Sequence, residues 1–471
     1  MRLRALAALI ACSTAASGAC GNQDDGPEPP PAIACDSAKM AADLEPVEAA
    51  DIGLFADAAS MELAADVSSH LRALWGPGAP SAIEGAPSGT AWSIWLSTSD
   101  AARARTAGGD AAYAIRREGR SIVVWGRTPA DLAHGAWALV ETFGARFFHP
   151  KQTFLPALGG ARWPRALDVA RKPAFATRGI QIHTLHPIEW FPALVQPGEQ
   201  NLADAKVLVD WLVRTGQNHL QWFFVNSVPV DQWRPHAAKI VEYAHARGVT
   251  VGAVAQLWGG SSLQNGYALV TDKTTWQTQM EQRLDTLLAV PFDLVELGMG
   301  EFFASDPEGV VQWLDHGTRY LAGKYPKTTF SVVNHVGNQP SLWLDFRGEK
   351  NVFFYHLPKY ADARLMNNVH TVYFFDLYRP WGGYGHPDFG LHRQYIFDQL
   401  PKRKIRYFPE AAYWASADVD VPIFLPEYLH ARCGPAAVVR GAARWDRDRS
   451  PPGATRRVAV PGGPRPRPRA R

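Results

Sequence analysis

Leu208-Val-Asp-Trp-Leu-Val-Arg-Thr-Gly216 leads into His219-Leu-Gln-Trp-Phe-Phe-Val225, and Ala237-Ala-Lys-Ile-Val-Glu-Tyr-Ala-His-Ala-Arg-Gly248 leads into Thr250-Val-Gly-Ala-Val-Ala255. In both pairs the first segment has apolar residues at helical spacing and is closed by glycine, and the second is a short apolar run. A helix stopped by glycine and then a strand, repeated, is the βα unit of a parallel sheet. Six further strand-like runs continue the pattern: Gly179-Ile-Gln-Ile-His183, Leu294-Val-Glu-Leu-Gly298, Thr329-Phe-Ser-Val-Val333, Val352-Phe-Phe-Tyr355, Thr371-Val-Tyr-Phe-Phe375 and Ile405-Arg-Tyr-Phe408. Eight such units predict a (β/α)8 TIM-type barrel over residues 172–432. The rival is an open doubly wound sheet, but no Gly-rich turn that would cradle phosphates follows any of the strands.

Upstream, residues 49–165 read as a small α/β domain. Ile52-Gly-Leu-Phe55 and Ala91-Trp-Ser-Ile-Trp-Leu96 are strand-like, Met61 to Trp75 is helix-like, and Ala112–Arg116 with Ser121–Trp125 forms a hairpin turning at Glu118-Gly119. Thr128-Pro-Ala-Asp131 then opens a helix that stops near Gly144, with Thr as N-cap and Pro in the first turn.

Two stretches resemble known families. Gly126-Arg-Thr-Pro-Ala-Asp-Leu-Ala-His-Gly-Ala-Trp-Ala-Leu-Val-Glu-Thr-Phe-Gly-Ala-Arg-Phe-Phe-His-Pro150 is similar to the end of the small domain that precedes the barrel in hexosaminidases of glycoside hydrolase family 20 and α-glucuronidases of family 67, and in related bacterial lipoproteins. Lys172-Pro-Ala-Phe-Ala-Thr-Arg-Gly179 resembles the entry to the first barrel strand in the same families. The resemblance implies a carbohydrate substrate and carboxylate chemistry, without naming the sugar.

The two ends of the chain read differently. Met1-Arg-Leu-Arg followed by Ala5–Ala11 has the pattern of an export signal, and Cys12 and Cys20 each close a lipobox-like run. Cys20 is preferred as the lipidation site, because Gly21-Asn-Gln-Asp-Asp-Gly-Pro-Glu-Pro-Pro-Pro after it is a polar tether. This gives a leader over 1–19, a linker over 20–48, and an exported, membrane-anchored protein facing the periplasm or the cell surface. At the other end, residues 433–471 lose apolar periodicity and become Arg/Pro-rich, as a disordered or out-of-frame tail would; if they are not native, the barrel is incomplete at its end. From Gly434 on there are ten Arg against two Asp, so the formal charge of +3 is −5 without that segment. A nucleic-acid partner therefore has no support. Cys35 and Cys433 are too few and too far apart to frame the fold with disulfides.

In a (β/α)8 barrel the chemistry sits at the C-terminal ends of the strands. Polar residues there are His183 and His186, Asn226, Gln256 and Trp258, Glu301, Asn334 and His335, His356, Asp376 and Glu410. Glycoside cleavage needs an acid on the leaving oxygen and usually a second carboxylate, about 5–5.5 Å away for retention or roughly 6.5–9.5 Å for inversion. Glu301 is the first choice for the acid: it follows the fourth strand, as the acids of families 20 and 67 do, beside apolar Met299, Phe302 and Phe303. Glu410 and Asp376 compete for the second role, with Glu410 preferred for its aromatic surroundings. Family 20 enzymes carry Asp-Glu at this point, whereas Gly300 precedes Glu301 here, which argues against an ordinary N-acetylhexosaminidase. Trp190, Trp258, Trp381, Tyr384 and Trp414 are expected to stack on sugar rings, with the Gly-rich loop from Tyr378 to His386 lining the pocket. No His-x-His pair appears at the strand ends, so no metal or other cofactor is assigned. A non-catalytic glycan-binding lipoprotein on the same fold is the alternative.

Overall fold

The computed structural model describes residues 43–48, 51–88, 92–185, 188–261, 265–300, 306–337, 339–372, 377–378 and 386–410. The leader with Cys20, His186, Glu301, Asp376, Trp381, Tyr384, Trp414 and the tail lie outside them.

The small domain is built on a six-stranded sheet in the order Asp168–Arg171, Tyr113–Glu118, Ser121–Gly126, Trp92–Ser97, Ile52–Ala56, Ala82–Glu84. Strand alternation sends Leu54, Ile94, Leu96, Ile122 and Val124 to one face, under the helices Met61–Trp75 and Pro129–Thr142. The other face, with Trp95, Val123 and Trp125, is covered by the short helix Asp100–Thr106 through Ala102. Pro129 opens its helix as the sequence predicts, and the Thr128 hydroxyl accepts from the Asp131 amide at 3.1 Å. Several contacts dock this domain on the barrel. The Trp211 indole donates to the Phe147 carbonyl at 2.8 Å, and the Arg214 guanidinium lies 4.9 Å from the centre of the Trp137 ring. One hydrophobic core runs through both.

The second domain is a curled parallel sheet of seven strands: β1 (Gly179–Ile182), β2 (His219–Phe223), β3 (Thr250–Trp258), β4 (Leu294–Gly298), β5 (Thr329–Asn334), β6 (Met366–Thr371) and β7 (Ile405–Pro409), paired in that order. The helices Glu199–Arg214 and Val230–Ala246 end at Gly216 and Gly248, whose φ of 74° and 71° lie in the left-handed region that glycine enters without strain. Leu208, Leu212, Ile240 and Val241 face inward from these helices and are fully or almost fully buried. Burial of this kind is worth about 1.5–3 kcal/mol per side chain.

The expected sixth strand is different. Val352-Phe353 belongs to Glu349–Phe353, which pairs antiparallel with Trp343–Phe346, and the chain then enters a 3-10 helix, Phe354–Tyr360. Arg347 and Gly348 both have positive φ, 48° and 88°, as a two-residue hairpin turn requires. A short apolar run can serve a hairpin or a barrel equally well, and here the turn decided. The strand that occupies this place is Met366–Thr371, five residues ahead of the run read from Thr371. Its polar Asn368 and His370 point into the barrel, and that is why it does not read as an apolar strand.

Candidate active site at the mouth of the barrel

Alternation along the strands sorts the inward-facing residues into two levels. The deeper level is a buried polar network around Glu296 of β4. Its carboxylate accepts from Gln221 Nε2 (2.6 Å), Ser331 Oγ (3.1 Å) and Asn368 Nδ2 (2.8 Å). Arg406 of β7 donates to Gln221 Oε1 at 3.0 Å, and the same oxygen lies 2.8 Å from His219 Nε2. Burial pushes the Glu296 carboxyl up, while Arg406 and the three donors pull it back down. Burial likewise lowers His219 to about 4, with the Arg406 charge acting in the same direction. Five strands are thus tied together by one carboxylate and its partners.

The upper level is the mouth. His183, just past β1, lies against Phe223 of β2, ring centres 4.9 Å apart. On the other side His335, just past β5, meets His370 of β6 edge-on at 4.9 Å, and His370 stacks on Phe408 of β7 at 4.9 Å. Glu410 follows two residues on, with its amide donating to the Thr371 carbonyl at 2.9 Å. That bond extends the ladder and keeps Glu410 on the same face as Arg406 and Phe408. Glu410 is half-buried. Gln256 is fully buried, with Nε2 bonded to Ser261 Oγ, beneath Gly300. A side chain at Gly300 would meet Ser261, and the Tyr355 hydroxyl donates to the Gly300 carbonyl at 2.7 Å.

Of the expected site residues, the structure brings His183, His335 and Glu410 to this mouth. Trp258 leans to the rim and stacks on Trp313 at 5.5 Å. Asn226 is exposed and donates to the Gly266 carbonyl at 2.9 Å. It lines a hollow of ≈ 630 Å³ with Asp231, Arg234, Tyr267 and Arg283, between helices Val230–Ala246 and Trp276–Leu288 and away from the inward-facing ring. Asn334 points out of the barrel and donates to the Tyr355 carbonyl at 2.6 Å. His356 is also outside the wall, buried in the 3-10 helix and stacked on Tyr395 at 4.1 Å. Tyr378 packs behind β6, with the Arg393 guanidinium 4.9 Å from its ring centre.

His370 and Phe408 were missed. His370 lies outside the run read as a strand, and Phe408 was read only as part of one. The signal available was the alternation Asn368, His370 and Arg406, Phe408, Glu410, which marks inward positions, all polar but Phe408, on adjacent strands. Among the described residues, no group of three or more His, Cys, Asp or Glu side chains is placed to hold a metal ion, and no helix is long and apolar enough to cross a membrane.

No protein-family model matches this sequence, and no curated protein is similar to it. Solved structures similar to it in backbone course include glycoside hydrolases. One is a family 20 β-N-acetylhexosaminidase from Streptomyces coelicolor A3(2), 13% identical over 78% of this chain and 74% of that one, with a TM-score of 0.49. A family 20 exo-β-N-acetylglucosaminidase from Vibrio harveyi is 9% identical over 85% and 71%, with a TM-score of 0.47. A family 115 4-O-methyl-α-glucuronidase is 11% identical over 85% of this chain and 58% of its own length, with a TM-score of 0.47. The fold described above rests on its own strand order and register.

Proposed function

We propose that this protein is a glycan-directed enzyme of the glycoside hydrolase type, working at the C-terminal mouth of the barrel. One observation carries the reading: the half-buried carboxylate of Glu410 shares the inner face of the mouth with His370, His335 and Phe408, groups suited to hold a sugar's hydroxyls and its apolar face. In this reading Glu301, which directly follows the buried end of β4, is the acid that protonates the leaving oxygen. Glu410 is the second carboxylate, as base or nucleophile, with Asp376 as its competitor. His183 and His186 contribute from the end of β1, and Trp381, Tyr384 and Trp414 supply stacking surface. The substrate is a poly- or oligosaccharide, and the enzyme is exported and tethered to a membrane through lipid on Cys20.

Release of chromophore from a panel of aryl glycosides and glucuronides tests this. Activity that falls on Glu301→Gln and on Glu410→Gln by about 10²–10⁴-fold, the usual worth of an acid or base, supports the pair. A second reading is a binding protein without turnover, in which His335, His370 and Phe408 hold the sugar and no carboxylate pair acts on it. Binding of the same glycosides by calorimetry without any turnover would select it.

A further inference from the structure

Beyond Asn334, the last residue of β5 paired with β6, the chain leaves the sheet, and the ladder no longer fixes its direction. His335, the β5 contribution to the mouth, sits on this unpaired stretch. Its Nδ1 accepts from the Val336 amide at 2.7 Å. What holds the stretch comes from behind the wall. His392 Nε2 lies 3.2 Å from the His335 carbonyl, and His386 Nε2 lies 2.5 Å from the Gly337 carbonyl. A carbonyl can only accept, so each imidazole donates from Nε2. Both rings are buried, and Phe353 meets them edge-on at 6.0 Å and 5.5 Å. Burial lowers His392 to about 3, so this ring is a neutral donor throughout the working range of an exported protein. His386 closes the Gly-rich segment that starts at Tyr378, and His392 lies in the helix Gly390–Gln399 that follows it. The clamp therefore links the β6–β7 connection to the β5 end across the wall.

We propose that His386 and His392 are positioning residues that hold His335 in the glycan-contacting ring from outside the barrel. This rests on the mouth being the glycan site. Neither imidazole touches that site; each acts through a backbone carbonyl, one of His335 itself and one two residues further on. Displacement of a contact group by a fraction of an ångström is enough to lose much of its binding.

The test uses the full-length protein with His392→Phe and His386→Phe, which keep ring bulk and remove the donor, and with His392→Gln and His386→Gln, whose amide can donate to the same carbonyl. Two quantities are read. One is the titration of the His335 imidazole by NMR of ¹⁵N-histidine protein, assigned by its loss in His335→Gln. The other is calorimetric affinity for the aryl glycosides, measured in the Glu410→Gln background. His392→Phe should shift the His335 midpoint and weaken binding about tenfold or more, with circular dichroism unchanged, and His392→Gln should restore both. An unshifted His335 in folded Phe variants overturns the proposal, and so does a Gln variant no better than Phe. Should a His392→Phe chain fail to fold, His386→Phe and the Gln variants decide by the same criteria. A wild-type protein that binds no glycoside, with His335 still shifted in the Phe variants, leaves the clamp standing and removes the glycan reading.

Discussion

Two groups of histidines lie on either side of the wall made by β5 and β6. Inside, His335 meets His370, which stacks on Phe408, two residues before Glu410 on β7. Outside, His356, His386 and His392 are sealed among Phe353 and Tyr395, with ring centres 5.3 Å apart for His356 and His392. The outer set is buried, and burial and mutual repulsion hold His356 well below its ordinary range and His392 near 3. The same side chain lines the open mouth on one face of a strand pair and is a neutral packing and hydrogen-bonding unit on the other. Strand parity and burial, more than residue type, divide the two roles.

The comparison can be broken first at the mouth. Glu410→Gln should cost about 10²–10⁴-fold in turnover of the best aryl glycoside while leaving the melting temperature within a few degrees, because the change is isosteric. A full loss of stability instead would place Glu410 in the scaffold. Next below it, Arg406→Met should destabilise by about 3–5 kcal/mol in urea unfolding, since it leaves the Glu296 carboxylate without its cation. Arg406→Met together with Glu296→Gln should recover much of this, and a double variant no better than the single would sink the pairing.

Acidification probes the buried histidines on both sides of the wall. A histidine whose folded pKa is depressed binds fewer protons folded than unfolded, so its stabilising share is complete above the unfolded value near 6.5 and is lost as pH falls through it towards the folded value. For His219, lowered to about 4, and His392, lowered to about 3, the losing window runs downward from 6.5. Each can cost on the order of a few kcal/mol by the bottom of that window. Glu296, pushed up by burial, works in the opposite sense and softens the slope. The melting temperature should thus fall between pH 7 and pH 5, and less steeply in His392→Phe; an equal slope in the variant would contradict the buried neutral state. The smallest effect should come from His183→Ala at the exposed end of β1. We expect a loss of glycoside affinity of about threefold to tenfold, read by calorimetry, with no change in melting temperature.

In the small domain the two long helices, the two central strands and the hairpin were legible, whereas the short helix Asp100–Thr106 and the edge strands Ala82–Glu84 and Asp168–Arg171 were not. Met61–Trp75 and the hairpin Tyr113–Glu118 with Ser121–Gly126 form where the apolar spacing and the Glu118-Gly119 turn put them. These elements have one wet and one dry side, so their periodicity is written in the sequence. Barrel strands β2 to β5 were legible for a related reason, since their outward residues beneath the helices are apolar except for Asn334 at the end of β5. β6 was not, because Asn367 bonds outward to Tyr395 while Asn368 bonds inward to Glu296, and polar residues on both faces erase the pattern.

The sequence alone thus determined the order of helices and strands, the two-domain plan and a supply of carboxylates, imidazoles and aromatic rings at the strand ends, all properties of spacing along one chain. Only the tertiary structure decided that Val352–Tyr355 leaves the barrel, that His370 replaces His356 at the mouth, and that Asn334 faces away from it. Those outcomes depend on register between strands far apart in sequence. A shift of a few residues in where β6 begins changes which side chains enter the barrel, and no local pattern records it.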